Sequence, residues 1–188
     1  MAEILFINDV YVKKYTQVNG AVDSNIIYPA VYLAQDKYLM PYLGTNLYEK
    51  LKDDVANNTL SGNYLTLVDD YVRKVVLWYT MVEVLPFLTY KLNNATLVQR
   101  TSEDAQPVSD RIFKDMIDRA SSNATHYTAL MVDFLCANSN LFPEYLNNTF
   151  PQRAPLHVTK SSSAFIFSSG NTQTSRNFYG DIRISQIP

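Results

Sequence analysis

The stretch from Asn63 to Tyr90, NYLTLVDDYVRKVVLWYTMVEVLPFLTY, constrains this chain more than any other. Its first half carries Leu65, Val68, Val72 and Val75 at helical spacing, with Tyr64 and Tyr71 on the same side. Asp69, Asp70, Arg73 and Lys74 fill the opposite side. From Val75 to Leu85 that polar side nearly vanishes. A helix that is apolar all round has to be covered all round. The pattern therefore predicts a long central helix, amphipathic at its start and enclosed at its end. Asp69–Arg73 and Asp70–Lys74 stand four apart with the acid first, an arrangement that adds only about 0.2–0.5 kcal/mol per pair. Pro86 predicts a late kink or a stop.

A chain of 188 residues favours one domain with an extension. It has 14 Tyr and 9 Phe against a single Trp. Tyrosine joins a broad ring to a polar tip, which suits half-buried and interface positions. A formal net charge of −2 with scattered basic residues leaves no electrostatic footprint for gripping nucleic acid. The dense apolar run Val75–Leu85 is far shorter than the roughly twenty residues that span a bilayer. No secretion or membrane signal is read in the sequence. Cys136 is the only cysteine, so an internal disulfide framework and a cysteine zinc site are excluded. It is expected to be a small buried residue on a helix.

Around the central helix the chain reads as three regions. Residues 1–22 open with ILFINDVYV, apolar and β-branched, and predict a short strand or extended arm. Residues 23–145 form the helical bundle domain. Asp23, Ser24 and Asn25 offer N-cap oxygens for a helix with Ile27, Ala30 or Val31, Ala34 and Tyr38 inward. Pro41 predicts its end near Leu39 and Met40. Gly44 is placed to supply a positive φ and Thr45 to cap the next helix, lined by Leu47, Leu51 and Val55. After the central helix, Ala95–Thr101 reads as a short strand. A second long helix, opened by Ser109 or Pro107, runs through Ile112, Met116, Ala120, Tyr127, Leu130 and Leu135 to about Asn138. Residues 146–188 are a C-terminal arm with two short strands, Ala164–Phe167 and Tyr179–Ile184, around a Gly-Asn turn.

No constellation for chemistry is assembled. His126 and His157 are the only histidines, and no HExxH or GxSxG stands in the chain. Five dispersed glycines supply no phosphate-cradling loop. The paired acids Asp53-Asp54 and Asp69-Asp70 read as solvated helix surface, with basic partners one turn away. No catalytic, cofactor-binding or metal residue is assigned, and the chain is read as no enzyme. A small-ligand pocket near Trp78 or His126 is the alternative within that class.

Three patterns, in order, carry a resemblance. The first is Ile27-Tyr28-Pro29-Ala30, then Gln35-Asp36-Lys37-Tyr38-Leu39, then Pro41-Tyr42-Leu43-Gly44-Thr45-Asn46-Leu47-Tyr48. The second is the polar link after the central helix. The third is the long helix ending in Asp133-Phe134-Leu135 and closing in Phe142-Pro143-Glu144-Tyr145. Together, over residues 25–145, they resemble the head–tail connector or adaptor proteins of tailed bacteriophages, in particular those of crAss-like phages of Bacteroides. The resemblance implies a mainly α helical bundle around a long buried central helix, flanked by the two arms. It implies a virion structural protein at the neck, assembled in the host cytoplasm. Its expected partners are copies of itself in a ring of about a dozen, the portal protein, and a tail or second neck-ring protein. Genomic DNA is expected only as passing cargo, and no membrane is expected. The arms are expected to dock on neighbours through Phe6, Val10, Tyr11, Phe165, Ile166, Phe167, Tyr179, Ile182 and Ile184. Alternatives are another neck ring or stopper and, in a different class, a helical regulatory or nucleic-acid-binding protein.

Overall fold

Asp23 starts the bundle as the sequence predicts. Its carboxylate accepts the Asn25 N–H at 2.9 Å and caps α2, Ser24–Ala34. In this computed structural model, which describes residues 3–18, 20–92, 97–99, 109–147 and 153–156, the chain is mainly helical. Ile27, Ala30, Val31 and Ala34 form the buried stripe of α2.

The helical path does not stop at Leu39. It widens through a π-helical turn, Gln35–Leu39, and continues as α3, Met40–Leu43, with Pro41 in its first turn. A proline has no N–H to give, and its ring crowds the carbonyl one turn back. In the wider turn the Met40 N–H reaches back to the Gln35 carbonyl, and the ring is accommodated. The chain reverses at Gly44 instead, with φ 75° and ψ 161°, a conformation that essentially only glycine adopts. Gly44 is also the N-cap of α4, Thr45–Ala56, so the expected cap, Thr45, is the first helical residue. Leu47, Tyr48 and Leu51 of α4 are buried.

The predicted central helix is present as α5, Gly62–Leu67, a second π-helical turn, Val68–Val72, and α6, Arg73–Thr89. Leu65, expected inward, is 41% exposed, and Leu67 takes the core position. The widened turn rotates the preceding face relative to the one that follows. Pro86 neither ends the helix nor starts the next element. Val75, Val76, Leu77, Thr80, Met81, Val84 and Leu85 are buried, as α6 lies between α2 and α7, Asp110–Ala137. Each buried aliphatic side chain there is worth about 1.5–3 kcal/mol. That outweighs the single Asp69–Arg73 ion pair, which forms as predicted. No Asp70–Lys74 pair is present among the described residues.

β1, Tyr90–Leu92, pairs antiparallel with β2, Leu97–Gln99, so that Tyr90 faces Gln99 and Leu92 faces Leu97. The expected strand 95–101 contains β2. α7 runs unbroken through Ser121-Ser122-Asn123. A 3-10 turn, Ser139–Leu141, leads into α8, Pro143–Leu146, and the two seat Phe142 and Tyr145 in the core. Cys136 is exposed on α7, against expectation, because Leu135 and Val132 hold the inward positions there.

The N-terminal segment departs from an extended arm. Residues 9–15 form a helix, α1 (Asp9–Tyr15). The Asn8 side chain accepts the Tyr11 N–H at 2.8 Å, Asp9 pairs with Lys13 at 3.4 Å, and Val12 is wholly buried. Local capping and burial override the strand preference of a VYV run. The stretch before α1 is built into the core. The buried Gln35 amide accepts the Phe6 N–H at 2.6 Å and donates to the Ile4 carbonyl at 3.2 Å. Arg73 Nε donates to the Phe6 carbonyl at 3.2 Å.

The start of the expected C-terminal arm also lies on the bundle. The Thr45 N–H donates to the Arg153 carbonyl, and the Arg153 N–H donates to Thr45 Oγ1. The Leu156 N–H donates to the Pro41 carbonyl at 2.8 Å. The described residues all belong to one compact unit. The two strands expected in residues 164–184 lie outside the described residues.

Candidate assembly surfaces

Three surface features gather the side chains that the core leaves over. The first is the outer face of α2. Tyr28 and Tyr32 are 41% and 47% exposed, Leu33 is 39% exposed, and Pro29 lies exposed between them. These residues recur at the helical period on the side opposite Ile27, Ala30, Val31 and Ala34. The helix is thus apolar on two faces, and one of them meets solvent. Asp36, one turn beyond Tyr32 and Leu33, is also exposed. The Tyr28 hydroxyl donates to Asp9 at 3.2 Å. Asp9 is held below the usual carboxylate range, chiefly by the hydrogen bond it accepts from Ser24.

The second feature is a groove of about 780 Å³ between the end of α1, the second half of α6 and the first half of α7. Its floor is Trp78, Met81, Leu85, Leu88 and Ala120, and its rim includes Tyr15 and Met116, both exposed. Lys14 and Arg119 stand at the rim. Neither has a carboxylate partner among the described residues. Lys14 Nζ sits 5.2 Å from the centre of the Tyr15 ring. A cavity does lie beside Trp78, but its floor is apolar, whereas the small-ligand alternative called for a polar one. His126 is exposed on α7 and does not line it.

The third is an open cleft of about 580 Å³ between α4 and α8, lined by Glu49, Lys50, Asp53, Asp54 and Glu144 among others. Lys50 pairs with Asp54 at 3.0 Å and lies over the Tyr64 ring. The Tyr64 hydroxyl donates to Glu144 at 2.7 Å. Burial and that carboxylate push the Tyr64 hydroxyl up to about 12. These contacts make the cleft a polar seam joining α4, α5 and α8. Among the described residues, no group of three or more His, Cys, Asp or Glu is placed to hold a metal ion. No helix among them is long and apolar enough to cross a membrane.

The docking residues expected from the sequence do not form one surface. Phe6 is 4% exposed, packs edge-on to Tyr48 and belongs to the core, so it is not available to a partner. Val10 is 64% exposed, and Tyr11 is half-buried against Tyr15. Phe165, Ile166, Phe167, Tyr179, Ile182 and Ile184 lie outside the described residues. Sequence reasoning passed over Tyr28, Tyr32 and Leu33 as surface. Their signal was legible: Tyr28-Pro29 and Tyr32-Leu33 repeat at i, i+1, i+4 and i+5, out of phase with the inner stripe.

A family model, described as a family of unknown function (DUF6712), matches residues 39–154. The chain belongs to the DUF6712 family. In this DUF6712 protein the match begins at the end of the first π-helical turn, takes in α3 to α8, and closes in the segment that crosses Gly44. No curated protein and no solved structure matches the chain.

Proposed function

We propose that this protein is a virion structural subunit of a tailed bacteriophage, a head-to-tail connector that repeats as a ring between portal and tail. The resemblance over residues 25–145 suggests the role, and one structural observation carries it. α2 is apolar on both faces and only one is covered by the chain's own core. Exposed tyrosines with aliphatic neighbours are the composition of an interface core. A subunit bearing an uncovered apolar face and, elsewhere, an apolar groove can repeat head to tail, and such contacts close into rings when the rotation permits. α6 packs against both α2 and α7, and close-packed interiors of this kind resist deformation, as a repeating subunit requires. In the neck the ring touches portal on one side and a tail or second neck-ring protein on the other, with the genome passing through.

The test is particle mass, measured for the purified protein alone and with the portal protein of the same phage, followed by a search for the chain in purified virions. The expected result is a mass at a multiple of 21.4 kDa, alone or on the portal, and a stoichiometric band in virions. A single 21.4 kDa particle under both conditions, with no band in virions, overturns the proposal.

A further inference from the structure

We infer that the outer face of α2 is covered by the groove of a second copy, with Tyr28, Tyr32 and Leu33 entering between Tyr15, Trp78, Leu88 and Met116. This inference rests on the connector reading and names the contact by which one subunit would hold the next. Three observations carry it. The surfaces are distinct, since no residue of α2 lines the groove. They are complementary in form, one a convex ridge of two rings and an isobutyl group, the other a concavity in the range of about 300–1,000 Å³ that side chains and ligands fill. They are also complementary in charge. Asp36 extends the ridge and has no ion-pair partner among the described residues. Lys14 and Arg119 stand at the groove's rim in the same condition. Docking the ridge brings that carboxylate to those two cations. Opposite charges placed this way fix register and suppress wrong partners more than they raise affinity.

The contact is heterologous. Each copy offers its ridge to one neighbour and its groove to the other, so every interface in the assembly is the same and none is left over once it closes. An isologous dimer would instead seat both ridges in both grooves about one twofold axis and stop at two copies, which the assembled mass distinguishes from a ring.

A charge exchange tests the pairing on the full chain. Asp36→Lys alone, or Lys14→Glu with Arg119→Glu, is expected to reduce the assembled mass to 21.4 kDa. Combining all three substitutions reverses the pairing and is expected to restore the wild-type mass. A crosslinking experiment reads the contact directly in a Cys136→Ser background. Chains carrying only Leu33→Cys are mixed with chains carrying only Met116→Cys under mild oxidation. A covalent dimer that forms in the mixture and not in either chain alone supports the contact. Wild-type mass in every charge variant, no rescue in the triple variant while circular dichroism reports a folded chain, or no mixed dimer overturns it. The outcome is separable from the broader reading. If wild-type chains assemble and these variants assemble equally, this contact is wrong and the ring stands; if wild-type chains never assemble, both fall.

Discussion

Substituting Gly44 by alanine probes the corner that joins α3 to α4 and the segment strapped across it. Two costs add. The backbone at φ 75° and ψ 161° lies where a residue with a Cβ is strained by about 1–3 kcal/mol. The new Cβ would also stand 2.8 Å from Cγ and Cδ of Pro155 and 3.1 Å from its nitrogen. Pro155 is buried, so its ring cannot swing aside as the end of a lysine would. The strap has to lift. It is held by the two Thr45–Arg153 hydrogen bonds and the bond from Leu156 to Pro41, each worth about 0.5–1.5 kcal/mol net. Gly44→Ala is therefore expected to lower the unfolding free energy by about 3–5 kcal/mol. Urea denaturation followed by tryptophan fluorescence measures it, with Trp78 as the sole reporter. A double-mutant cycle with Pro155→Ala separates the two parts. In the Pro155→Ala background the ring atoms are gone, and the cost of Gly44→Ala should fall toward the backbone part alone. The reasoning fails if Gly44→Ala costs under about 0.5 kcal/mol, or if its cost is the same in both backgrounds.

Thr80 sits in the middle of α6, fully buried, and its hydroxyl has no hydrogen-bond partner among the described residues. Thr80→Val keeps the shape and removes the orphan, and thermal unfolding should show a gain of about 1–2 kcal/mol; a loss would mean that the hydroxyl is satisfied. Glu83 accepts from the Tyr38 hydroxyl at 2.6 Å and from Lys37 at 2.9 Å. Burial pushes its carboxyl up, but the Tyr38 and Lys37 hydrogen bonds outweigh that and hold it below its ordinary 4.5. A carboxylate depressed by folding stabilises fully above its unfolded value, and that stability is lost as pH falls through the folded value. Glu83→Gln should therefore flatten the decline in stability as pH falls below about 4.5, read from unfolding curves on that acid limb; an unchanged slope would show that the cluster does not couple to folding.

Where local chemistry and core packing agreed, the sequence was readable. Asp23 caps α2, Gly44 turns the chain, and the apolar run after Val75 is buried between two other helices, because each of these follows from neighbours within a turn or from sheer apolar density. Two features hid from a strict helical period. The π-helical turns Gln35–Leu39 and Val68–Val72 each add a residue to a turn, so Pro41 no longer ends a helix and Leu65 drops out of its own stripe. α1 hid behind β-branched residues, although Asn8 as a cap and Asp9 with Lys13 four on were signals of a helix start. The strap at residues 153–156 has no periodicity to read, and its partners lie more than a hundred residues away. Of the candidate surfaces, the ridge on α2 was visible in spacing alone. The groove was not, since Tyr15, Trp78 and Met116 meet only after three helices have packed.

The buried amide of Gln35 has a consequence for how the protein is made. The stretch around Phe6 emerges from the ribosome well before anything can receive it, for its hydrogen-bonding partners are 29 and 67 positions downstream. Synthesis runs at about 5–20 residues per second, so the apolar stretch Ile4-Leu5-Phe6-Ile7 waits several seconds before Arg73 is made. Its hydrogen-bonding seat exists only once both Gln35 and Arg73 have been made. Sequence joined next to this stretch would therefore load a part of the core and not a free tail.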